Sequence, residues 1–361
     1  MKVLITVDDI KQELGGVSSS MAILYQNLLS NKVDVKVGVS KSASLRGYSD
    51  FENNKIKLYY AKELIKLKQV EIVHNNGIWT RFSYTVMRNS FRNRIKTIQS
   101  VHGMLEPWSL SQGKFKKKLA LFVYQKKILE NADLIHASTL DEVGAIRATG
   151  IKNKIAVIPN GIDIQSPLKI NNKKPYKLLF LSRIHRKKGI ELLLEALSCF
   201  RYKFELVIAG SGDSIYIAKL KKDVERLGLT GMVSFVGYVS GKKKEDLFIS
   251  SDFFVLPTYS ENFGNVIAEA LKYGKPVITT NKTPWSEVET QMCGYITTPA
   301  ALSIITALKS VSELSSDEYA DMQKNAFNLG KKYDIDAVGK KYINVYQYLH
   351  GLADIPDFID T

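Results

Sequence analysis

The chain is poor in cysteine. Cys199 and Cys293 are the two it has, and neither lies at metal-ligand or disulfide-framework spacing. That excludes a stapled secreted scaffold and points to a reducing compartment. Long apolar runs are also missing. Stretches such as FFVLP (253–257) and LALFV (119–123) fall far short of the roughly 20 residues a membrane helix needs. The opening MKVLITVDD has neither the apolar core nor the cleavage site of a signal peptide. A cytoplasmic protein, soluble or peripheral at a membrane, is therefore expected. Acid is in short supply as well, with 36 Asp and Glu against 51 Lys and Arg, a net charge of +15.

What is present suits a globular enzyme of two domains. The 361 residues exceed one ordinary domain, and 45% hydrophobic content supplies two cores. The basic excess is uneven: residues 1–170 hold 26 cations against 14 acids, the remainder 25 against 22. Within 81–127 there are eleven cations and a single acid, Glu106, interleaved with Phe82, Tyr84, Phe91, Trp108, Phe115, Phe122 and Tyr124. Such a face attracts polyanions, either nucleic acid or an anionic membrane, unless it is simply a solvated surface.

Strand and helix signals alternate through both halves. In the first half, strands are expected at 2–7, 33–39, 71–74, 96–101, 134–137 and 155–158. Helices are expected at 17–29, 84–91, 115–130 and 140–149. PNGID (159–163) punctuates, and IQSPLKINNKKP (164–175) reads as a linker. The pattern then restarts with strands at 176–182, 204–209, 233–236, 253–256 and 276–279. Helices fall at 189–200, 215–227, 243–250, 265–273 and from 300. Such alternation predicts right-handed βαβ crossovers and parallel sheets. The expected fold class is thus α/β, two Rossmann-like doubly wound domains facing a central cleft. The boundaries are 1–165 and 166–334, with a last helix near 335–350 packing back on the first domain. The acidic tail DIPDFIDT is expected to be loose.

Doubly wound sheets bind ligands beyond the carboxyl ends of their strands. After the first strand, Gly15 and Gly16 precede a helix start, where free N–H groups suit an anion. His102 follows the 96–101 strand and is flanked by Gly103; His74 sits similarly. In SRIHRKKG (182–189), Arg183 and Lys188 place a planar fork and a mobile point charge near one strand end. In SENFGNVIAEA (260–270), Glu261 precedes a helix and Glu269 lies on its second turn. Eight helical residues span about 12 Å and rotate by roughly 80°, so the two carboxylates cannot share one metal or proton. They can hold two ends of an elongated ligand, with the N–H groups of 263–266 between them. Ribose, diphosphate and hexose in series fit that description.

Together these residues resemble the family 4 retaining glycosyltransferases of GT-B fold. The resemblance rests on E-x7-E (Glu261, Glu269) followed by GKPV, on R-x4-K (Arg183, Lys188), PNGID and the N-terminal GG loop, and it covers nearly the whole chain. It implies a hexosyltransferase that retains configuration and needs no cofactor or metal. Arg183 and Lys188 would hold the donor diphosphate, with Gly15 and Gly16 contributing from the other domain. Glu269 would bind the ribose. Glu261 would bind the donor sugar, helped by the backbone of Asn262, Phe263, Gly264, Asn265 and Val266. His102 would contact the same sugar, and the base would rest near Gly237 and Tyr238. A UDP-sugar is the foremost donor and a GDP-sugar the second. Asn262 stands where Gly is common, and HNNG (74–77) lacks a second histidine often found there. The SENFGN and TPW (283–285) wording resembles bacterial capsule and O-antigen enzymes, whose acceptors are sugars on an isoprenoid diphosphate. An anionic membrane met through 81–127 is then the expected partner.

Two other classes compete. A nucleic-acid binder would suit the charge, but no helix-turn-helix, RNP or zinc spacing is present, so nucleic acid is not an expected partner. A nucleotide-sugar epimerase or a phosphorylase could use the same architecture. A dinucleotide oxidoreductase would want G-x-G-x-x-G where LGGVSS stands.

Overall fold

A computed structural model of the protein describes residues 1–8, 16–40, 56–66, 69–164, 168–170, 176–200, 202 and 204–360, with Lys114 described by its backbone alone. Gly15 and most of the expected 164–175 linker lie outside the described residues. The chain divides into two compact units, one of Met1–Asp163 with Asp334–Thr361, the other Ile164–Tyr333.

The first unit opens with β1 (Lys2–Val7), α1 (Gly16–Ser30), β2 (Asp34–Val39), β3 (Leu58–Tyr60), α2 (Ala61–Lys66), β4 (Ile72–Asn76), α3 (Arg81–Arg92) and β5 (Lys96–Ser100). Next come α4 (Pro107–Ser111), α5 (Lys114–Ala120), a π turn over Leu121–Gln125, α6 (Lys126–Glu130), β6 (Leu134–Ala137), α7 (Leu140–Arg147) and β7 (Ile155–Val157). The second unit runs β8 (Lys177–Leu181), α8 (Ile190–Ser198), β9 (Glu205–Ala209), α9 (Ser214–Arg226), β10 (Val233–Gly237), α10 (Gly241–Ser250) and β11 (Phe253–Leu256). It continues with α11 (Asn265–Lys272), β12 (Val277–Thr280), α12 (Glu287–Thr290), β13 (Gly294–Thr297), α13 (Ala301–Glu313) and α14 (Ser316–Lys331). Finally α15 (Ile335–His350) and β14 (Ile359–Asp360) return to the first unit.

Among the described residues the first sheet is ordered β14-β7-β6-β5-β4-β1-β2-β3 and the second β10-β9-β8-β11-β12-β13. All pairings are parallel except β14 with β7. Each sheet therefore reverses its strand order once, between β1 and β4 and between β8 and β11. The strands are apolar on both faces because helices cover both, as in Leu178–Leu181 and Phe253–Leu256, which are buried throughout.

α15 shows how the first core closes. Val338, Tyr342, Val345 and Tyr346 pack with Leu24 and Leu28 of α1 and with the sheet. Asn27 of α1 donates to Asp336 at 2.7 Å. A Cβ at Gly339 would lie 1.8 Å from Asn27 Oδ1, so only glycine permits that approach.

Two expectations are corrected. The acidic tail is pinned: Ile359 is buried, Ile359–Asp360 pairs antiparallel with β7, and Arg147 binds Asp360 at 2.6 Å. The 115–130 helix is interrupted by the π turn, an extra residue in one helical circuit that re-aims α6 relative to α5. The elements β3, α2, α12, β13 and α14 were not anticipated from the sequence.

Candidate functional site

In the second unit the reversal lies between β8 and β11, and two loops rise there, 182–189 and 257–264. Backbone joins them: the Tyr259 N–H and the Thr258 hydroxyl both donate to the Lys187 carbonyl, at 2.8 and 3.0 Å. Gly189 holds φ +68°, and a Cβ there would lie 2.1 Å from the Pro257 carbonyl oxygen. Only glycine fits that crossing.

This junction carries Lys188 out of a short 3-10 turn (Arg186–Lys188) capped by His185. Lys188 is 7% exposed, and its ammonium forms an ion pair with Glu261 Oε2. The Glu261 N–H is in turn anchored on the Lys282 carbonyl at 3.0 Å. Two residues expected to act on different parts of a ligand are thus a pair. Arg183 is exposed and pairs with no carboxylate among the described residues. His185 feels the local field: burial and then the charges of Arg183, Lys188, Lys187 and Arg186 push its pKa below the ordinary histidine value. Lys188 is thus paired with Glu261, while the Arg183 guanidinium stands exposed at the β8 end.

Gly264 opens α11 at φ +83° with its Cα close to the Glu261 side chain; a Cβ would stand 3.1 Å from Glu261 Cγ. The Phe263 ring is 5% exposed and packs on Trp285 and Tyr333, with centroids 5.3 and 5.7 Å away. The Trp285 indole N–H donates to the Phe263 carbonyl. Phe263 is therefore a peg, and what this turn presents is backbone. The Ile267 N–H closes the first turn of α11 on the Gly264 carbonyl at 2.8 Å, and the positive end of the helix dipole lies at this turn. Glu269, on the second turn, receives Lys244 Nζ of α10 on Oε1 at 2.7 Å. Its Oε2 is buried and has no hydrogen-bond partner among the described residues. Lys244 was not anticipated: it lies 25 residues from Glu269 in a run of three lysines, and no local pattern marks the pair.

The neighbouring strand ends extend the surface. Gly237 (φ +73°) ends β10 and accepts from the Gly210 N–H at 2.8 Å; Tyr238 comes next, 49% exposed. Gly210 approaches so closely that a Cβ would lie 1.8 Å from the Ser182 carbonyl. The Ile184 N–H donates to Ser211 at 2.7 Å, locking the β9 and β8 loops together. Ends of β10, β9, β8 and β11 thus stand in a row, three strand spacings or about 14 Å across.

In the first unit the reversal lies between β1 and β4. Gly16 begins α1 there. His102 lies just after β5 at φ +52° and shares a hydrogen bond with Asn76 Oδ1 at 2.8 Å. Asn76 spends its amide hydrogens on the Thr6 and His74 carbonyls, so its oxygen accepts and His102 Nε2 donates. Burial, then His136, lowers the His102 pKa to about 3, so the ring is neutral with Nδ1 as a lone-pair acceptor. The Gly103 N–H donates to Glu142 Oε1 at 2.5 Å, which holds the turn. His74 is structural. It is fully buried between Tyr346 OH (2.9 Å) and Ser100 Oγ (2.7 Å), and Ser100 continues to His136 at 2.7 Å.

A family model described as "Glycosyl transferases group 1" matches residues 163–329, and one described as "Glycosyltransferase Family 4" matches residues 14–166. The chain belongs to these glycosyltransferases. The glycosyltransferase is 30% identical over 235 residues to the uncharacterised glycosyltransferase MJ1607 of Methanocaldococcus jannaschii, covering 59% of this chain and 58% of that one. It thus spans less than two thirds of that relative. It is 26% identical over 308 residues to the O-antigen biosynthesis glycosyltransferase WclY of Escherichia coli, covering 78% and 80%. Its fold matches Anabaena Alr3699/HepE, solved in complex with UDP, at TM-score 0.77 and 20% identity over 96% of this chain and all of that one. The fold is GT-B, with two Rossmann-like sheets as in that structure.

Proposed function

We propose that this glycosyltransferase transfers a sugar from a nucleotide-sugar donor, a UDP-sugar foremost, to a saccharide acceptor, with retention at the anomeric carbon. The observation that carries this reading is the row of strand ends in the second unit, bearing the Lys188–Glu261 pair and the half-free Glu269 carboxylate. An extended ligand laid along about 14 Å of sheet edge would meet Tyr238, then the cationic β8 loop, then Glu261. Glu269 Oε2 would accept from a ribose hydroxyl. The solved HepE complex with UDP supports the nucleotide part.

In this reading Arg183 and Lys188 stabilise negative charge as it grows on the departing diphosphate, without a metal ion in that role. Lys188 also positions the Glu261 carboxylate beside the sugar, where it accepts from hydroxyls. With Glu261 so engaged, the acceptor hydroxyl attacks on the face the leaving group vacates, and a donor phosphate oxygen takes its proton. Gly16 and His102 belong to the same proposal, His102 as a neutral acceptor through Nδ1. The likeness to WclY, an O-antigen biosynthesis glycosyltransferase, supports surface-polysaccharide synthesis; an isoprenoid-linked acceptor at an anionic membrane is part of the same proposal. No helix among the described residues is long and apolar enough to cross a bilayer.

Thermal denaturation against a panel of nucleotides and nucleotide sugars tests the reading. A uridine compound at a hundred times its dissociation constant should stabilise by about 2.7 kcal/mol. A panel in which nothing raises the midpoint would sink it.

A further inference from the structure

The sequence places a basic face at 81–127, and the structure shows that the face is not uniformly polar. Phe115 and Phe122 are 88% and 87% exposed, and Leu119 and Val123 are each 64% exposed. Their spacing of four, three and one places them on a single stripe of the α5–π turn–α6 rod. The rod's inner side is well anchored. Ile128 and Leu129 are buried, Gln125 receives the Trp79 N–H at 3.2 Å, and Tyr124 donates to the Trp79 carbonyl at 3.0 Å. The apolar stripe is therefore what a firmly seated helix turns outward. The lysines around it are Lys116, Lys118 and Lys127, all exposed, and no acid occurs between Glu106 and Glu130. Arg88 lies over Tyr84, whose ring meets Tyr124 edge-on at 5.5 Å, extending the basic rim onto α3.

We infer that Phe115, Leu119, Phe122 and Val123 insert into an anionic bilayer while the flanking lysines engage its phosphates. The inference rests on the membrane reading above and gives it an anchoring device. A second copy of this chain suits the stripe poorly, because the same cations would face one another across a two-fold contact. An anionic lipid surface supplies both the apolar depth and the opposite charge. The π turn serves this arrangement: Phe122 and Val123 lie within it, between α5 and α6. Docking is then part electrostatic and part hydrophobic, so salt removes only a share of it.

The test uses the full chain and sedimentation with phosphatidylcholine vesicles, with or without a minority of phosphatidylglycerol. Wild type should bind the anionic vesicles and keep a measurable fraction bound in molar salt. Phe115→Ser with Phe122→Ser should weaken binding at least about tenfold and abolish the salt-resistant fraction. Lys116→Gln with Lys118→Gln should weaken low-salt binding and spare that fraction. Phe122→Trp should show blue-shifted emission on anionic vesicles alone. Unchanged binding in the double serine variant, or a switch from dimer to monomer with vesicle binding unaffected, would overturn the inference. The nucleotide thermal shift of each variant should match wild type. Because vesicle binding needs no nucleotide, absence of that shift in wild type would count against the proposed transferase activity and not against the anchor.

Discussion

The two units order their first six strands alike and differ in what they place at the reversal. In the second, the ends of β8 and β11 carry ions: Lys188 against Glu261, exposed Arg183, and Glu269 held by Lys244. In the first, the ends of β4, β5 and β6 run into uncharged imidazoles, hydroxyls and amides: His74, Ser100, His102, His136 and Asn76, closed by Tyr342 and Tyr346 of α15. The same scaffold thus yields paired ions at the strand ends once, and once a buried network of neutral rings and hydroxyls bordered by the Glu142 carboxylate. Chemistry here belongs to the side chains at strand ends and not to the fold.

Acid should break that comparison most strongly. Burial lowers the His102 and His136 pKa values to about 3 and about 4, while the unfolded chain binds protons near the ordinary 6.5. The unfolded state therefore takes up more protons as pH falls. Stability is fully present above about 6.5, is lost as pH drops, and levels off below the folded values. Between pH 6.5 and 4.5 each histidine should cost about 2 kcal/mol. Urea denaturation across that range, followed by hydrogen exchange, should show β4–β6 of the first unit losing protection before the second sheet; equal loss in both would contradict it. Lys188→Ala should come next, lowering kcat/KM by roughly 3 kcal/mol, since Glu261 is then left partly buried without its cation. Arg183→Ala and Glu269→Ala should each cost about 1.5–3 kcal/mol, visible in donor KM or in turnover. Wild-type kinetics in all three would detach these residues from the reaction. The smallest effect is expected for Tyr342→Phe, which deletes one hydroxyl from the network. A loss of about 1 kcal/mol in urea denaturation, with donor binding intact, would mark it as structural.

Much of this was legible in the sequence because its signals are local. The strands 134–137 and 253–256 have their read bounds, since short β-branched or aromatic runs with polar flanks leave little choice. β13 escaped because GYIT is four residues without contrast to its surroundings. α14 escaped although Ser315 and Glu318 form a capping box at its start. At the site, Glu261 and Glu269 were read from their spacing, but their cations were not. Neither Lys188 nor Lys244 carries a mark of its pairing in the sequence, since partners 73 and 25 residues apart leave no periodic trace. The pinned tail failed for the same reason: its partners, Ala156 and Arg147, are remote in sequence.

The return of α15 makes dissection of the enzyme unequal. Ile164–Tyr333 is one uninterrupted segment, whereas its counterpart is assembled from two. A gene fragment stopping at residue 163 would encode a sheet stripped of Val338, Tyr342, Val345 and Tyr346, with His74 laid bare to water. Anyone wanting that half in isolation must graft 334–361 back through a new connector, while the other half can be excised with two cuts.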